Sequence, residues 1–439
     1  MSLETRLLQA LAPWCQAPRW VVAFSGGLDS TVLLHLLARL RHSHALPPLA
    51  AIHVHHGLQP AAERWVDLCR AQCEALGIPL QVCHVAVGEG ASLERAAREA
   101  RYAAFAGCLQ AGEVLLLAQH RDDQAETLLL RLLRGAGVRG LAAMPHSRPL
   151  AAGQLLRPLL GTGRAELEAW ARAAGLRWIE DPSNVDTGLA RNFLRHEILP
   201  RLARHWPAAS AVLARDAEQL AEAQVLLDEL ADADLADARQ PAVLDWLPLP
   251  SLLLAPLQAL SDARQRNALR RWLEPLTRLP PREHWAGWIA LRDAGEAAAP
   301  CWRLGDGELR RHDGRLWWLS GDWLQVPEPR RIDWPDPRQP LPLPGNGRVW
   351  FEGVPPAVPL QIGYRQGGEL LTLPGRGRRD LKRLLQEARI PPFVRERLPL
   401  LLDGGELLAV AGLPRLQAAA EPARRLVWLP PTGGAGLSW

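Results

Sequence analysis

The chain has 439 residues, 48% of them hydrophobic and 22% charged, enough for two or three cored domains and unlike a disordered or low-complexity polymer. Its net charge of +4 permits an anionic partner without demanding one. Six cysteines without a C-x-x-C pair argue against a disulfide framework and against zinc or iron–sulfur sites. The N-terminus carries charges inside its apolar run, and the apolar run at 247–260 is short and broken by prolines. Neither fits a signal peptide or a membrane span, so a cytoplasmic protein with no membrane association is expected.

Residues 21–37 read VVAFSGGLDSTVLLHLL. Val21 to Phe24 have the length and β-branching of a buried strand. Ser25-Gly26-Gly27 breaks it, and a helix follows, with Asp29 or Ser30 as its cap and Val32, Leu33, Leu36 and Leu37 as its apolar stripe. A helix start carries unpaired N–H groups and partial positive charge, and glycines let a phosphate approach the backbone. Ser25 and Ser30 add hydroxyl donors. Asp29 is the misfit, because a carboxylate beside a phosphate repels unless a cation such as Mg²⁺ lies between them. The plain alternative is a glycine-rich turn with Asp29 as a cap. SGGLDS resembles the PP-loop of the ATP pyrophosphatase superfamily. That resemblance implies cleavage of ATP to AMP and pyrophosphate, Mg²⁺ on Asp29, and nucleotide contacts from Ser25, Gly26, Gly27, Leu28, Asp29 and Ser30.

Strand and helix then alternate: a strand in the apolar front of 49–58, helix at 61–76, strand at 80–85, helix at 92–109, strand at 114–120, helix at 122–134. This predicts a doubly wound, mainly parallel α/β sheet with helices on both faces. Ligands bind beyond the carboxyl ends of such strands, where SGGLDS, HVHHGL and QHRDDQAET all begin. His53 and His55 alternate onto one face. His53, His55 and His56 could ligate a metal, but with no cysteine or carboxylate nearby in sequence a wall of the nucleotide pocket, His53 included, is the preferred reading. Asp123 and Glu126 lie three apart on one helix face, able to hold a cationic group or simply to favour the helix dipole. GAGVRG at 135–140 follows a helix, so it reads as a C-cap and turn rather than a dinucleotide site. Trp178-Ile179-Glu180 is expected as a short strand and Asp181-Pro182-Ser183-Asn184 as a turn. Arg191, Asn192 and Arg195 open another helix, facing phosphate, carboxylate or solvent.

In this order, SGGLDSTVLLH, HRDDQAETLLLRLLRGAGVRGL, RPLL, IEDPSN and RNFLRHEILP closely resemble the tRNA(Ile)-lysidine synthetase family, and residues 375–412 resemble its C-terminal domain. The resemblance implies an adenine nucleotide alpha hydrolase-like catalytic domain, a helical middle domain and a small α+β C-terminal domain. It implies ATP-dependent joining of free L-lysine to the wobble cytidine of an isoleucine tRNA with a CAU anticodon. It places Asp29, Asp123, Glu126 and Arg191 in the chemistry, and it implies no protein partner. Arg121 departs from the family's usual residue before the paired aspartates.

The expected domains are 1–207, 208–330 and 347–439, with a proline-rich linker at 330–346. The helix at 261–279 carries Arg264, Arg266, Arg270 and Arg271 beside Trp272. Arg264 and Arg270 are candidate RNA contacts, against a solvated face as the plain alternative. Arg378, Arg379 and Lys382, the last the single lysine, form a second basic group suited to phosphates. Rival readings are a tRNA thiolase, which needs cysteines in a pattern absent here, an NAD- or GMP-type synthetase, which leaves the basic C-terminal domain unexplained, and a non-enzymatic RNA-binding module, which leaves SGGLDS unexplained.

Overall fold

The computed structural model describes residues 1–57, 62–86, 93–241, 244, 246–295, 298–328, 330–356, 359–418 and 424–432. The expected helix starts at 61 and 92 and the last residue of HVHHGL lie outside them. The chain divides into two compact units, Met1–Leu226 and Leu227–Trp439.

The first unit holds the expected parallel sheet. Its strands are β1 (Trp20–Ala23), β2 (Leu49–His55), β3 (Leu80–His84), β4 (Val114–Leu116), β5 (Ser147–Leu150) and β6 (Gly153–Leu156). They lie in the order β3-β2-β1-β4-β6-β5, parallel throughout except for the β5–β6 hairpin at one edge. Both faces are covered, as strand alternation requires. Trp20 and Val22 join one core with α1 (Leu3–Leu11) and α2 (Leu28–Leu40), whereas Val21 joins Ile52, Phe105 and Leu115 on the other face. Cys69 and Cys73 of α3 (Ala62–Ala75) are buried, and burial pushes their thiols up to about 12 and about 11, so they are inert packing groups. Helix α4 (Leu93–Cys108) precedes β4, and α5 (Arg121–Leu133) follows it.

The order reverses at β1, whose neighbours are β2 on one side and β4 on the other. A crevice opens at such a switch point beyond the strand ends. The β1–α2 turn and the β4–α5 turn flank it, so topology brings SGGLDS and QHRDDQAET together.

The second unit is more β-rich than its alanine- and leucine-rich sequence suggests. Beside helices such as Asp262–Leu273 it contains a four-stranded antiparallel sheet of Ser251–Leu253, Arg315–Ser320, Gly307–His312 and Cys301–Leu304, in that spatial order. Strand Arg315–Ser320 feeds two cores. Leu316 and Trp318 pack with Trp272, Trp288 and Trp302, while Trp317 and Leu319 pack with Phe393 and Leu398. A period of two thus serves both faces of one strand. Residues 330–346 are not a free linker. Strand Ile332–Trp334 pairs with Leu360–Gly363, Trp334 stacks on Phe351 at 5.1 Å, and fully buried Asn346 donates to the Arg397 carbonyl at 2.8 Å. The tryptophan and asparagine overrode the proline signal because each found a partner distant in sequence. No helix among the described residues is long and apolar enough to cross a membrane.

Candidate active site

Gly26 has φ +80°, a left-handed conformation that suits glycine. A Cβ there would collide with Ile179 Cδ1 and lie 2.9 Å from Cys69 Sγ. The segment at 176–180 forms no strand; instead the Ile179 N–H donates to the Gly26 carbonyl at 2.8 Å and seats the isoleucine against the loop. Gly27 is the N-cap of α2 and supplies no side-chain cap, which leaves the first N–H groups without that competitor. Ser30 and Ser25 brace the turn: their hydroxyls lie 3.1 Å apart, Ser30 Oγ donates to the Gly27 carbonyl at 3.1 Å, and the Gly27 N–H reaches Ser25 Oγ at 3.4 Å. Leu28 is buried and anchors the first turn.

His53 stands behind this loop rather than across it. It is buried on β2, with Nδ1 donating to the Phe24 carbonyl at 2.9 Å and lying 3.5 Å from Cys69 Sγ. Burial pushes its pKa down, so the ring stays neutral and holds the strand end that leads into the turn. His55, on the same face, meets different partners, Glu63 and His84.

Asp29, in the first turn of α2, presents Oδ2 to His120 Nε2 at 3.6 Å, while its Oδ1 is buried and accepts no hydrogen bond from a described group. His120 is 1% exposed, caps α5 and faces three carboxylates, with Asp123 at 3.4 Å and Asp122 at 3.8 Å besides Asp29. Burial works against the imidazolium, but the close Asp29 carboxylate and the charges of Asp123 and Asp122 outweigh it and raise the pKa. The Asp123 N–H approaches Nδ1 at 3.4 Å, a long contact that only a neutral ring can accept; with three carboxylates so near, the charged ring is the better assignment. The return bond, His120 N–H to Asp123 Oδ2 at 3.0 Å, is the firmer half of the cap.

Asp123 and Glu126 share a face of α5, as their spacing requires, and the cations they hold are the protein's own. Arg191 reaches Glu126 Oε2 at 2.7 Å and Asp123 Oδ1 at 3.3 Å. Arg195 reaches Glu126 Oε1 at 2.6 Å and Asp123 Oδ1 at 2.9 Å. Glu126 is 1% exposed at its side chain and the two arginines about a quarter, so the arginines, not the glutamate, are the part of the network nearer solvent. The reason is desolvation: two buried carboxylates on one face need counter-charges inside the fold. Burial would raise the Asp123 pKa, but His120, Arg191 and Arg195 reverse the shift downward. A π-helical turn at Leu194–Ile198 accompanies the placement of Arg195, and Asn192 ties the 183–186 turn by donating to the Ser183 and Asp186 carbonyls at 2.8 and 3.0 Å. Four carboxylates (Asp29, Asp122, Asp123, Glu126) thus meet two guanidiniums and one imidazolium, which leaves the cluster net negative.

His120 carries no role in the sequence reading. His120 stood inside the quoted motif, and a histidine at a strand end just before a helix rich in carboxylates was the available signal. Of the partners open to Arg195 from sequence, phosphate, carboxylate or solvent, the structure supplies carboxylates.

The basic residues of the second unit divide. Arg264 is ion-paired to Asp234, Arg270 lies over the Trp285 ring at 5.1 Å, and Trp272 is in the core. Arg378 and Arg379 are exposed on the edge strand Gly377–Asp380, and Lys382 is exposed in the following helix, Leu381–Glu387. Arg376 beside them pairs with Glu387 at 3.0 Å.

Known proteins share this organisation. Residues 1–202 match the model of the PP-loop domain, 252–317 that of the TilS substrate binding domain, and 360–428 that of the TilS substrate C-terminal domain. The chain is similar to the tRNA(Ile)-lysidine synthase of Pseudomonas aeruginosa, 62% identical over 441 residues covering 100% of this chain and 99% of the relative. It is similar to those of Alkalilimnicola ehrlichii, 46% identical over 97% of each chain, and Escherichia coli O157:H7, 44% identical over 89% and 91%. The glycine loop at the sheet's switch point, the carboxylate cluster beside it and these full-length likenesses have one reading: the chain belongs to the tRNA(Ile)-lysidine synthase family.

Proposed function

We propose that this chain carries out its family's reaction, the ATP-dependent ligation of L-lysine to the wobble cytidine of an isoleucine tRNA with a CAU anticodon. An amide-like oxygen is a poor leaving group. ATP adenylates the cytosine oxygen with release of pyrophosphate, and the lysine ε-amine then displaces AMP. The product reads AUA instead of AUG and is charged with isoleucine instead of methionine.

One observation supports this reading above the others: an uncapped helix start and a net-negative cluster share one crevice. The N–H groups after Gly26 suit the nucleotide phosphates. Asp29, with a buried oxygen that no described group satisfies, suits a hard divalent cation and would hold Mg²⁺, whose charge would offset that developing on the phosphates. His120 keeps Asp29 turned toward the loop. Arg191 and Arg195, the more exposed members of the network, suit phosphate oxygens, and Asp123 and Glu126 anchor them. The residual negative charge suits the lysine ammonium, which must lose a proton before it attacks. Arg378, Arg379 and Lys382 contribute backbone contacts to the tRNA.

The test is pyrophosphate release and lysidine formation on matched isoleucine and methionine tRNA transcripts bearing the same anticodon, with and without lysine. Release on the isoleucine transcript without lysine, and product only with it, is the expected pattern. Pyrophosphate release that needs no tRNA would overturn the reading. For Asp123→Asn the guanidinium-holding role predicts that both half-reactions fall together. Selective loss of the lysine step would assign Asp123 to the amine instead.

A further inference from the structure

We propose that His55, Glu63 and His84 bind one divalent transition-metal ion of the Zn²⁺ class, at a site apart from the ATP-linked Mg²⁺.

The register of the sheet builds it. His55 of β2 and His84 of β3 are directly paired residues of parallel strands, so their side chains leave the same face side by side. Their rings are 4.8 Å apart between centroids and inclined at 50°, which suits convergence on a common point better than stacking. The first turn of α3 brings Glu63 to the same place, with Oε1 3.5 Å from His55 Nε2. One ligand atom from each residue fits within 4.8 Å of the other two.

His55 is 9% exposed, and its Nε2 is buried without a hydrogen bond to any described group. A buried imidazole nitrogen normally finds a donor or acceptor. Here it points at a carboxylate set too far off to bond well and at a second imidazole. A metal–nitrogen bond of about 2.0–2.1 Å and a metal–oxygen bond of about 2.0–2.2 Å place tetrahedral ligand atoms near the His55–Glu63 separation. A modest rotation of the more exposed His84 and Glu63 closes the third side. Two imidazoles and one carboxylate suit Zn²⁺, Co²⁺ or Ni²⁺, whereas Mg²⁺ prefers oxygen ligands. The set leaves a fourth position for water.

Linear sequence offered His55 as a possible ligand but not its partners. His55 and His84 are neighbours only through strand pairing, and Glu63 comes from a helix packed on the same face. The site is separate from the catalytic cluster, whose members come from α2, from α5 with the His120 that precedes it, and from the helical segment at 190–198.

The experiment uses the full-length chain, stripped with a chelator and titrated with Co²⁺ in the absence of nucleotide. One equivalent should produce the visible d–d absorption of a low-symmetry Co²⁺ site. Zn²⁺ should displace it, and millimolar Mg²⁺ should not. His84→Ala and Glu63→Gln alter exposed side chains, and circular dichroism checks that both variants fold. Each should weaken Co²⁺ and Zn²⁺ binding by more than about 100-fold, beyond the 10–100-fold that outer-shell changes cost. Zn²⁺ should raise the first thermal midpoint of the wild type and leave His84→Ala unmoved. The proposal fails if the wild type takes up no stoichiometric Co²⁺, or if both folded variants bind it as the wild type does.

Discussion

Arg191 and Arg195 in the first unit, and Arg378 and Arg379 in the second, are the same side chain put to different uses. The first pair is anchored through Nε on a glutamate that is 1% exposed. The second pair stands on an edge strand, where charge also deters pairing with another chain, and forms no ion pair with a described carboxylate. Counter-charge and burial make the difference. A guanidinium held by a buried carboxylate is fixed in direction and is costly to disturb, whereas a solvated one is mobile, screened by salt and replaceable by its neighbours. The first arrangement suits chemistry on one phosphate, the second attraction of a long polyanion.

The contrast sharpens at Asp29, which sits at the edge of the buried cluster. Asp29→Ala should lower pyrophosphate release by at least about 10²–10³, the usual scale for losing one preorganised electrostatic partner of a transition state. Its tRNA affinity should stay within about twofold in a filter-binding assay. Equal loss of both would tie the cluster to tRNA binding and blur the distinction between the two regions.

Glu126→Ala tests the anchoring itself. It takes from two guanidiniums the more buried of their two carboxylate partners, so the chemical-denaturation transition of the first unit should lose up to about 3–5 kcal/mol, the cost of breaking a buried pair. A double-mutant cycle with Arg195→Met should recover a large part of that loss. Additive losses would mean that the residues act independently.

Gly26→Ala combines a strained left-handed backbone with a collision against Ile179. It should cost about 1–3 kcal/mol of local stability and weaken ATP use, with tRNA affinity unchanged.

His120 adds a pH signature. Its folded pKa is raised above 6.5, so its contribution is fully present below that value and is lost as pH climbs through the folded one. The stability gap between the wild type and His120→Gln should narrow as pH rises above 6.5, by about 1.4 kcal/mol for each unit of displacement. A gap that widens would show that the ring is neutral and acts only as a cap.

The smallest effect belongs to the surface group. Arg378→Ala, Arg379→Ala and Lys382→Ala together should reduce the slope of log affinity against log salt by at most about 2–3, with catalysis at saturating tRNA unchanged. An unchanged slope would leave these residues the sole work of protecting an edge strand.

Local chemistry was legible without the fold. SGGLDS announced a phosphate loop because its glycines, hydroxyls and carboxylate act within one turn, and alternating strands and helices announced a parallel sheet because hydrophobic period is a local property. Cys69 and Cys73 read as buried for the same reason. Tertiary structure alone decided the partners. Asp123 and Glu126 meet Arg191 and Arg195 from more than sixty residues away, Asp29 reaches His120 across the switch point of the sheet, and strand Arg315–Ser320 serves two cores at once. His55 has no carboxylate among its immediate neighbours in sequence, yet the packing of α3 on β2 supplies Glu63. Sequence spacing fixes which residues share a face of one element. Which charge meets which across elements follows from desolvation, because a carboxylate taken out of water must find a cation wherever the chain can bring one.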